Sequence, residues 1–251
     1  MANSFNLSGK TAIVTGASTG LGRAMTLALA EAGADVLLVD HSERKETLQD
    51  VRKIGRRAVS FVADLGKDAR VDEIIGFAVK EFGKVDILVN NAGTIRRSPA
   101  IDMTQKDWDE VMQLNAKSVF FLAQAAARDM LKRKYGKIIN IASLLSFQGG
   151  ILVPSYAASK GAVAQLTKAL ANEWAQHGIN VNAIAPGYMV TDNTKALRED
   201  PARSKAILDR IPAGRWGQPE DLQGAVVFLA SSVSDYVNGH VLAVDGGWLA
   251  R

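Results

Sequence analysis

The chain of 251 residues contains no cysteine. It can therefore form no disulfide and offers neither a thiol nucleophile nor a thiolate metal ligand, which is compatible with a reducing cytoplasm. Its three histidines, His41, His177 and His240, are scattered without the spacing of metal ligands, so no metal is predicted. The amino terminus lacks the apolar core of a signal peptide, and no run approaches the ~18 apolar residues of a membrane span. We expect a cytoplasmic protein that does not enter a membrane.

Charge and composition exclude another class of partner. The net charge is only +4, and the basic residues are interleaved with acidic ones instead of forming the patch that nucleic-acid binding needs. The apolar content of 47% allows a sizeable core, and no linker or internal repeat divides the chain. We expect one domain over residues 1–251 and no nucleic-acid partner.

Short apolar segments alternate with longer amphipathic ones along the chain. The predicted strands are 10–15, 35–40, 57–65, 85–90, 137–142, 179–186 and 240–247. The predicted helices are 21–33, 43–54, 68–82, 104–132, 156–176 and 219–231. This alternation predicts an α/β fold of Rossmann type, a doubly wound parallel sheet with helices on both faces. The polar segment at about 188–212 is predicted to be a substrate lid, with a simple surface helix as the alternative.

The turn after the first predicted strand is rich in glycine. Gly16, Gly20 and Gly22 stand between this strand and a helix, although their spacing is not that of the commonest dinucleotide fingerprint. Glycine permits a sharp turn there and lets a pyrophosphate approach the positive end of the helix. The sequence therefore predicts a nucleotide-binding turn.

The second predicted strand ends at Asp40. A carboxylate at this position can accept hydrogen bonds from an adenosine ribose and repels a 2′-phosphate. We therefore predict NAD as the cofactor. Because Arg44 and Lys45 follow closely, NADP remains the alternative.

Tyr156 and Lys160 are four residues apart, so on a helix they lie on the same face. A nearby ammonium favours ionisation of a phenol, whose ordinary pKa is about 10, and the pair is therefore a candidate general acid and base. Ser143 follows the strand 137–142, at the sheet edge where ligands bind in open α/β folds. A chance pairing of tyrosine and lysine is the alternative for these two residues.

Taken together, these patterns resemble the short-chain dehydrogenase/reductase family over essentially the whole chain. The resemblance is carried by TGASTGLG at 15–22, NNAG at 90–93, Asn115, the Tyr156/Lys160 pair and PGYMVT at 186–191. It implies a nicotinamide-dependent oxidoreductase acting on CH–OH groups. It also implies cofactor contacts from Gly16, Ser18, Gly20, Leu21, Gly22, Asp40, Asp64, Leu65, Asn91, Gly93, Tyr156, Lys160, Pro186, Gly187 and Thr191.

The same resemblance implies four catalytic residues. Tyr156 would take the proton of the substrate hydroxyl, and Ser143 would hydrogen-bond the same oxygen. Lys160 would bind the nicotinamide ribose and lower the pKa of Tyr156. Asn115 would kink its helix and hold a water that links Lys160 to solvent; a satisfied buried amide is the alternative.

Longer tracts such as LSFQGG and ILDRIPAGRWG are similar to the sugar-acid dehydrogenases of this family, which act in uronate breakdown. A sugar-acid carboxylate needs a cation, and Arg96, with Arg97 beside it, is the candidate; surface arginines are the alternative. Gln148 is predicted to contact the substrate hydroxyls, with Ser143 and Tyr156 at the reacting oxygen. Leu152 replaces a basic residue of those relatives, so a less charged polyol is a further alternative.

Two other functions remain open. A 3-oxoacyl-carrier-protein reductase would share the catalytic residues, although Asp40 argues against its usual preference for NADP. A catalytically silent nucleotide-binding protein is disfavoured by the intact catalytic set. The small apolar faces of the two long helices, 104–132 and 156–176, are those by which family members pair, so a homotetramer is expected.

Overall fold

The computed structural model describes residues 4–251, and within that part seven strands form one parallel sheet in the order β3-β2-β1-β4-β5-β6-β7. The strands are β1 Thr11–Thr15, β2 Asp35–Asp40, β3 Ala58–Val62, β4 Ile87–Asn90, β5 Gly136–Ile141, β6 Ile179–Pro186 and β7 Val241–Val244. The helices are α1 Gly20–Glu31, α2 Lys45–Lys53, α3 Val71–Phe82, α4 Gln105–Met112, α5 Ser118–Arg133, α6 Pro154–Trp174, α7 Lys195–Glu199, α8 Pro201–Leu208 and α9 Gln223–Ala230. The predicted Rossmann-type α/β fold is confirmed.

The central strands are buried along their whole length, as continuous apolar runs predict for a parallel sheet covered on both faces. One apolar core packs α1 and α9 on the sheet and includes Met25 and Val226. A second core packs α3 and α5 on the opposite face and includes Ile74 and Met130. Chain order reverses beside β1, which pairs with β2 on one side and β4 on the other. This reversal opens a crevice at the carboxyl ends of the strands.

The long predicted helix 104–132 is present but is not regular. Thr104 caps its start, accepting a hydrogen bond from Asp107 N at 3.1 Å. Between α4 and α5 the helix passes through a π-helical segment, Gln113–Lys117, with Asn115 at its centre. Such a wide turn re-aims side chains inside a helix and is frequent at functional sites. The predicted kink at Asn115 therefore takes the form of a π-helical turn.

Several predicted boundaries were wrong by a few residues. The third strand ends at Val62, so Asp64 and Leu65 lie in the following loop. The last strand ends at Val244, because Gly246 and Gly247 adopt positive φ angles that end the extended conformation. The segment 188–212 holds a short 3₁₀ turn and the helices α7 and α8. None of the helices formed by the described residues combines the length and the apolarity that a membrane crossing requires.

Candidate active site

Two adjoining cavities lie at the carboxyl ends of the strands. The first is a cleft of about 350 Å³ beside the glycine turn. The second has about 390 Å³ and is lined by residues from the 143–153 loop and the 188–212 segment. Tyr156 lines both cavities. A molecule in the cleft and a molecule in the second cavity would therefore meet at this phenol.

The glycine turn is held by a very close backbone approach. A Cβ atom on Gly22 would lie 1.9 Å from Gly16 O, so no larger residue fits there. Gly16 has a φ angle of +61°, in the left-handed region that glycine adopts at little cost. No side chain caps the start of α1 after Thr19, which leaves its first N–H groups available to an anion. These features fit the pyrophosphate of a dinucleotide.

Asp40 lies at the end of β2 and lines the cleft. Its carboxylate accepts a hydrogen bond from Ser18 N at 3.2 Å through Oδ2 and one from His41 N at 2.8 Å through Oδ1. His41 Nδ1 also lies 2.8 Å from Oδ1. The carboxylate is thus fixed in place and carries its charge at one end of the cleft. That placement fits a contact to a ribose hydroxyl.

Asn91 connects the end of β4 with the glycine turn. Its side-chain amide donates to Thr15 O at 2.9 Å and Gly16 O at 3.1 Å, while its backbone N donates to Thr15 Oγ1 at 3.0 Å. The Asn91 side chain therefore shapes the turn that lines the cleft.

Tyr156 and Lys160 lie on one face of α6, as their spacing predicts. Lys160 Nζ is 5.6 Å from the centre of the Tyr156 ring and donates to Ile141 O at 2.6 Å. Proline at the first position of α6 sets the start of the helix two residues before Tyr156. Ser143 follows β5, and Leu145 N donates to its hydroxyl oxygen at 3.2 Å.

Burial dominates the electrostatics of this pair. Desolvation raises the pKa of Tyr156, and the opposing effects of the Ser143 hydroxyl and the Arg97 charge are smaller. Burial also lowers the pKa of Lys160 to about 8. Lys160 is not among the groups that lower this pKa in the protein chain alone, so its predicted effect on Tyr156 stays a prediction. The buried ammonium is bound to a backbone carbonyl, and the loss of hydration outweighs other effects on the phenol.

Asn115 is completely buried, and both of its amide hydrogens are used. Nδ2 donates to Thr94 O at 2.9 Å and Ser159 Oγ at 3.1 Å, while Oδ1 accepts from Thr94 N at 2.8 Å. Ser159 Oγ in turn donates to Tyr156 O at 2.8 Å. The side chain is thus a satisfied buried amide that joins the loop after β4 to the helix carrying Tyr156. A water relay at Asn115 stays a prediction.

The second cavity is lined by three arginines, Arg97, Arg203 and Arg210, and by no acidic residue among those that the structure describes. Arg96, which was predicted to bind substrate, does not line this cavity. Its guanidinium instead lies 2.9 Å from a carboxylate oxygen of Glu110. Adjacent residues in an extended segment point in opposite directions, so only one of the two arginines can face the cavity.

Most predicted cofactor contacts line the first cleft. They are Gly16, Gly20, Leu21, Gly22, Asp40, Asp64, Leu65, Asn91, Gly93, Tyr156, Lys160 and Thr191. Ser18 does not; it is buried behind the turn, where its backbone N contacts Asp40. Pro186 and Gly187 line the second cavity instead, as do the predicted substrate contacts Ser143 and Gln148. Leu152 lines neither cavity.

Sequence reasoning missed several lining residues. His41 and Asn193 line the cleft and are sequence neighbours of predicted contacts, so the motifs themselves were a signal for them. Arg203, Arg210 and Trp248 line the second cavity. They come from α8, the turn after it and the last residues of the chain, and no local pattern marked them.

A third, larger groove of about 850 Å³ lies away from these cavities. It runs along α4 and the start of α5 and is lined by residues such as Phe120 and Phe121. Its lining includes none of the predicted catalytic residues. We therefore do not assign it to the chemistry.

Comparison with known proteins gives consistent matches over the full chain. The model of a protein family described as enoyl-(acyl carrier protein) reductase matches residues 16–249. A 2-dehydro-3-deoxy-D-gluconate 5-dehydrogenase of Dickeya dadantii (strain 3937) is 63% identical over 99% of each chain, and one of Escherichia coli (strain K12) is 60% identical over the same shares. A crystal structure from Agrobacterium tumefaciens, described as a candidate 2-deoxy-D-gluconate 3-dehydrogenase with bound NADP, has a TM-score of 0.94 at 55% identity and covers 99% of this chain and 100% of its own.

Proposed function

Because the chain belongs to the short-chain dehydrogenase/reductase family, we propose that it interconverts a hydroxyl and a ketone at C5 of a 2-dehydro-3-deoxyhexonate. The activity would be that of a 2-dehydro-3-deoxy-D-gluconate 5-dehydrogenase, the name carried by the two relatives described above. One structural observation carries the proposal. The cavity that adjoins Tyr156 is lined by three guanidinium groups and, within the described residues, by no carboxylate, which suits an anionic substrate.

In the proposed mechanism, a nicotinamide cofactor supplies the hydride acceptor when it is bound in the first cleft. Tyr156 Oη holds the proton that is exchanged with the substrate oxygen. Ser143 Oγ hydrogen-bonds that oxygen and stabilises the charge that develops on it. Lys160 Nζ, 5.6 Å from the centre of the phenol ring, places a buried positive charge beside it and would bind the cofactor ribose. Asn115 positions the loop and the helix that hold these groups.

The pKa of Tyr156 predicts how the rates of ketone reduction and of hydroxyl oxidation depend on pH. Since burial raises this pKa, the phenol is protonated at neutral pH and is ready to donate to a ketone oxygen. Oxidation of a hydroxyl needs the phenolate instead. We therefore expect oxidation to become faster as pH rises and ketone reduction to be favoured near neutrality.

We propose NAD as the preferred cofactor, because the fixed carboxylate of Asp40 would repel the 2′-phosphate of NADP. The NADP found in the Agrobacterium structure supports the alternative. In Asp40→Ala, the ratio of kcat/KM for NAD to that for NADP should fall roughly tenfold or more. Asp50→Ala is the matched control, since Asp50 lies on α2 outside the cleft and pairs with Arg23. An unchanged ratio in Asp40→Ala would show that this carboxylate does not contact the ribose.

A substrate panel tests the activity itself. Absorbance of the reduced nicotinamide would be followed as it forms from NAD or NADP with 2-dehydro-3-deoxy-D-gluconate, 2-deoxy-D-gluconate and D-gluconate. With a 3-oxoacyl thioester it would be followed as NADH or NADPH is consumed. The first compound should give the highest kcat/KM. A higher value with the thioester would favour an acyl-carrier-protein reductase, the function suggested by the description of the family model.

We further propose a homotetramer in the cytoplasm, where free nicotinamide nucleotides are available. The groove along α4 and α5 supports the assembly, because Trp108 and Phe121 are partly exposed on these helices. Light scattering after size exclusion should give about four times the chain mass. Phe121→Glu should lower that mass if the groove is an interface between subunits.

We also propose that the segment 188–212 is the lid of the second cavity, since it supplies Arg203 and Arg210 to its lining.

A further inference from the structure

The three arginines of the second cavity occupy different environments. Arg97 lies in the loop after β4 and lines the same cavity as Tyr156. Arg97 Nη2 also donates to Asn193 O at 2.8 Å. Arg203 lies on α8, and its guanidinium has no hydrogen bond or ion pair with any residue from 4 to 251. Arg210 lies in the turn after α8 and is held by two side chains.

Arg210 is held over an aromatic ring. Its guanidinium carbon is 4.1 Å from the centre of the Trp248 ring, and its Nη2 lies 3.4 Å from Gln148 Oε1. Trp248 is itself buried, with Tyr188 4.7 Å away, and its Nε1 donates to the same Gln148 oxygen at 3.2 Å. This contact with the ring restrains the guanidinium, so less conformational freedom is lost when a ligand binds.

The hydrogen-bonding groups of this cluster are mostly donors. Gln148 Oε1 is already shared by Arg210 and Trp248, which leaves the Gln148 amide hydrogens and the other guanidinium hydrogens without a partner among the described residues. A planar group of donors with one positive charge matches a carboxylate, which accepts hydrogen bonds through both oxygens.

The position of the reacting carbon decides which arginine a carboxylate can reach. In a hexonate oxidised at C5, four carbon–carbon bonds separate the reacting carbon from the carboxylate carbon, roughly 5 Å when extended. In one oxidised at C3, two bonds separate them, roughly 2.5 Å. The carboxylate of a substrate that reacts at C5 therefore reaches an arginine about 2.5 Å farther from the reacting carbon than the carboxylate of a substrate that reacts at C3.

We propose that Arg210, held by Trp248 and Gln148, binds the C1 carboxylate of a substrate oxidised at C5 and thereby sets the regiochemistry. The inference rests on the proposed function, because it assumes a hexonate that reacts at Tyr156. Arg203 is the weaker candidate, since an unheld arginine loses more rotamer freedom on binding. In this arrangement Trp248 and Gln148 are positioning residues, and Arg97 contacts the oxygens nearer to the reacting carbon.

The proposal is tested by a cycle that removes the charge of Arg210 and the charge of the substrate carboxylate, singly and together. KM and kcat would be measured for wild type and Arg210→Gln with 2-dehydro-3-deoxy-D-gluconate and with its uncharged C1 amide. Arg210→Gln should raise KM for the acid about 10-fold or more, with little change in kcat, since the contact exists in ground and transition states alike. For wild type, KM should rise by a similar factor when the amide replaces the acid. For Arg210→Gln, KM for the amide should be no higher than KM for the acid.

Controls separate this inference from folding and from the proposed function. Lys205→Gln removes a neighbouring charge of α8 that pairs with Asp209 outside the cavity and should leave KM unchanged. Arg210→Lys should recover part of the affinity for the acid, and an unchanged thermal midpoint shows that the variant folds. If wild type oxidises no hexonate, the proposed function fails. If wild type oxidises the acid but Arg210→Gln raises KM for the acid and for the amide equally, the assignment of Arg210 is overturned. It is also overturned if KM for the acid rises in Arg203→Gln and not in Arg210→Gln.

Discussion

Replacing Lys160 by methionine should change the pH dependence of the free energy of unfolding, because Lys160 is buried in the folded protein and exposed to water in the unfolded chain. Lys160 is 5% exposed and has no carboxylate partner among residues 4–251, and burial lowers its pKa from 10.5 to about 8. In the unfolded chain its pKa returns to about 10.4. Between the two values the unfolded state binds one more proton than the folded state, so stability rises with pH.

The size of the effect follows from the two pKa values. Each pKa unit corresponds to about 1.4 kcal/mol, so the charged lysine destabilises the fold by about 3 kcal/mol at pH 7. This penalty shrinks as pH rises through about 8 and is absent well above the unfolded value. From about pH 7 to about pH 10 the contribution of Lys160 to the free energy of unfolding should therefore increase by roughly 2.5 kcal/mol.

Urea unfolding at several pH values measures this contribution as the difference between wild type and Lys160→Met. Methionine keeps the apolar stem and fills most of the space. Loss of the hydrogen bond to Ile141 O shifts the difference by a constant that does not depend on pH. Protein concentration is held fixed, because assembly adds its own stabilisation. A difference that is flat, or that falls as pH rises, would refute the reasoning.

Four further predictions concern the site. Tyr156→Phe should lower kcat by about 10²- to 10⁴-fold and leave cofactor affinity, measured by fluorescence titration, nearly unchanged; wild-type turnover would exclude Tyr156 as the acid and base. Its raised pKa also predicts that wild-type oxidation accelerates with pH, and a rate that is flat across the alkaline range would contradict this. Arg96→Gln should leave KM for the substrate within about twofold, since the side chain pairs with Glu110 outside the cavity. Gly22→Ala should abolish folding or cofactor binding in circular dichroism and titration, because its Cβ meets Gly16 O; a fully functional variant would contradict the close approach.

Features that depend on local spacing could be read from the sequence. The alternation of strands and helices gave the sheet, and the helical repeat placed Tyr156 and Lys160 on one face of α6. The glycine turn and Asp40 were identified because they stand where strands end. In each case the physical reason lies within a few residues of the chain: the pitch of a helix, the freedom of glycine, or the end of an apolar run.

Other features depend on groups that are distant in sequence. The choice of Arg97 over Arg96 depended on how one extended segment faces the cavity and on the nearby carboxylate of Glu110. The contact between Gln148 and Trp248 joins residues 100 positions apart. No periodicity reports such a contact, because it is fixed only when the loop that carries Gln148 and the last residues of the chain pack together.

The sequence by itself determined the fold, the glycine turn after β1 and the placement of Tyr156 and Lys160 on one face of α6. Only the tertiary structure decided the protonation tendencies of that pair and the cations of the second cavity. The physical reason is that spacing along the chain sets which groups share a face, whereas burial sets their hydration, and hydration outweighed the neighbouring charges at Tyr156.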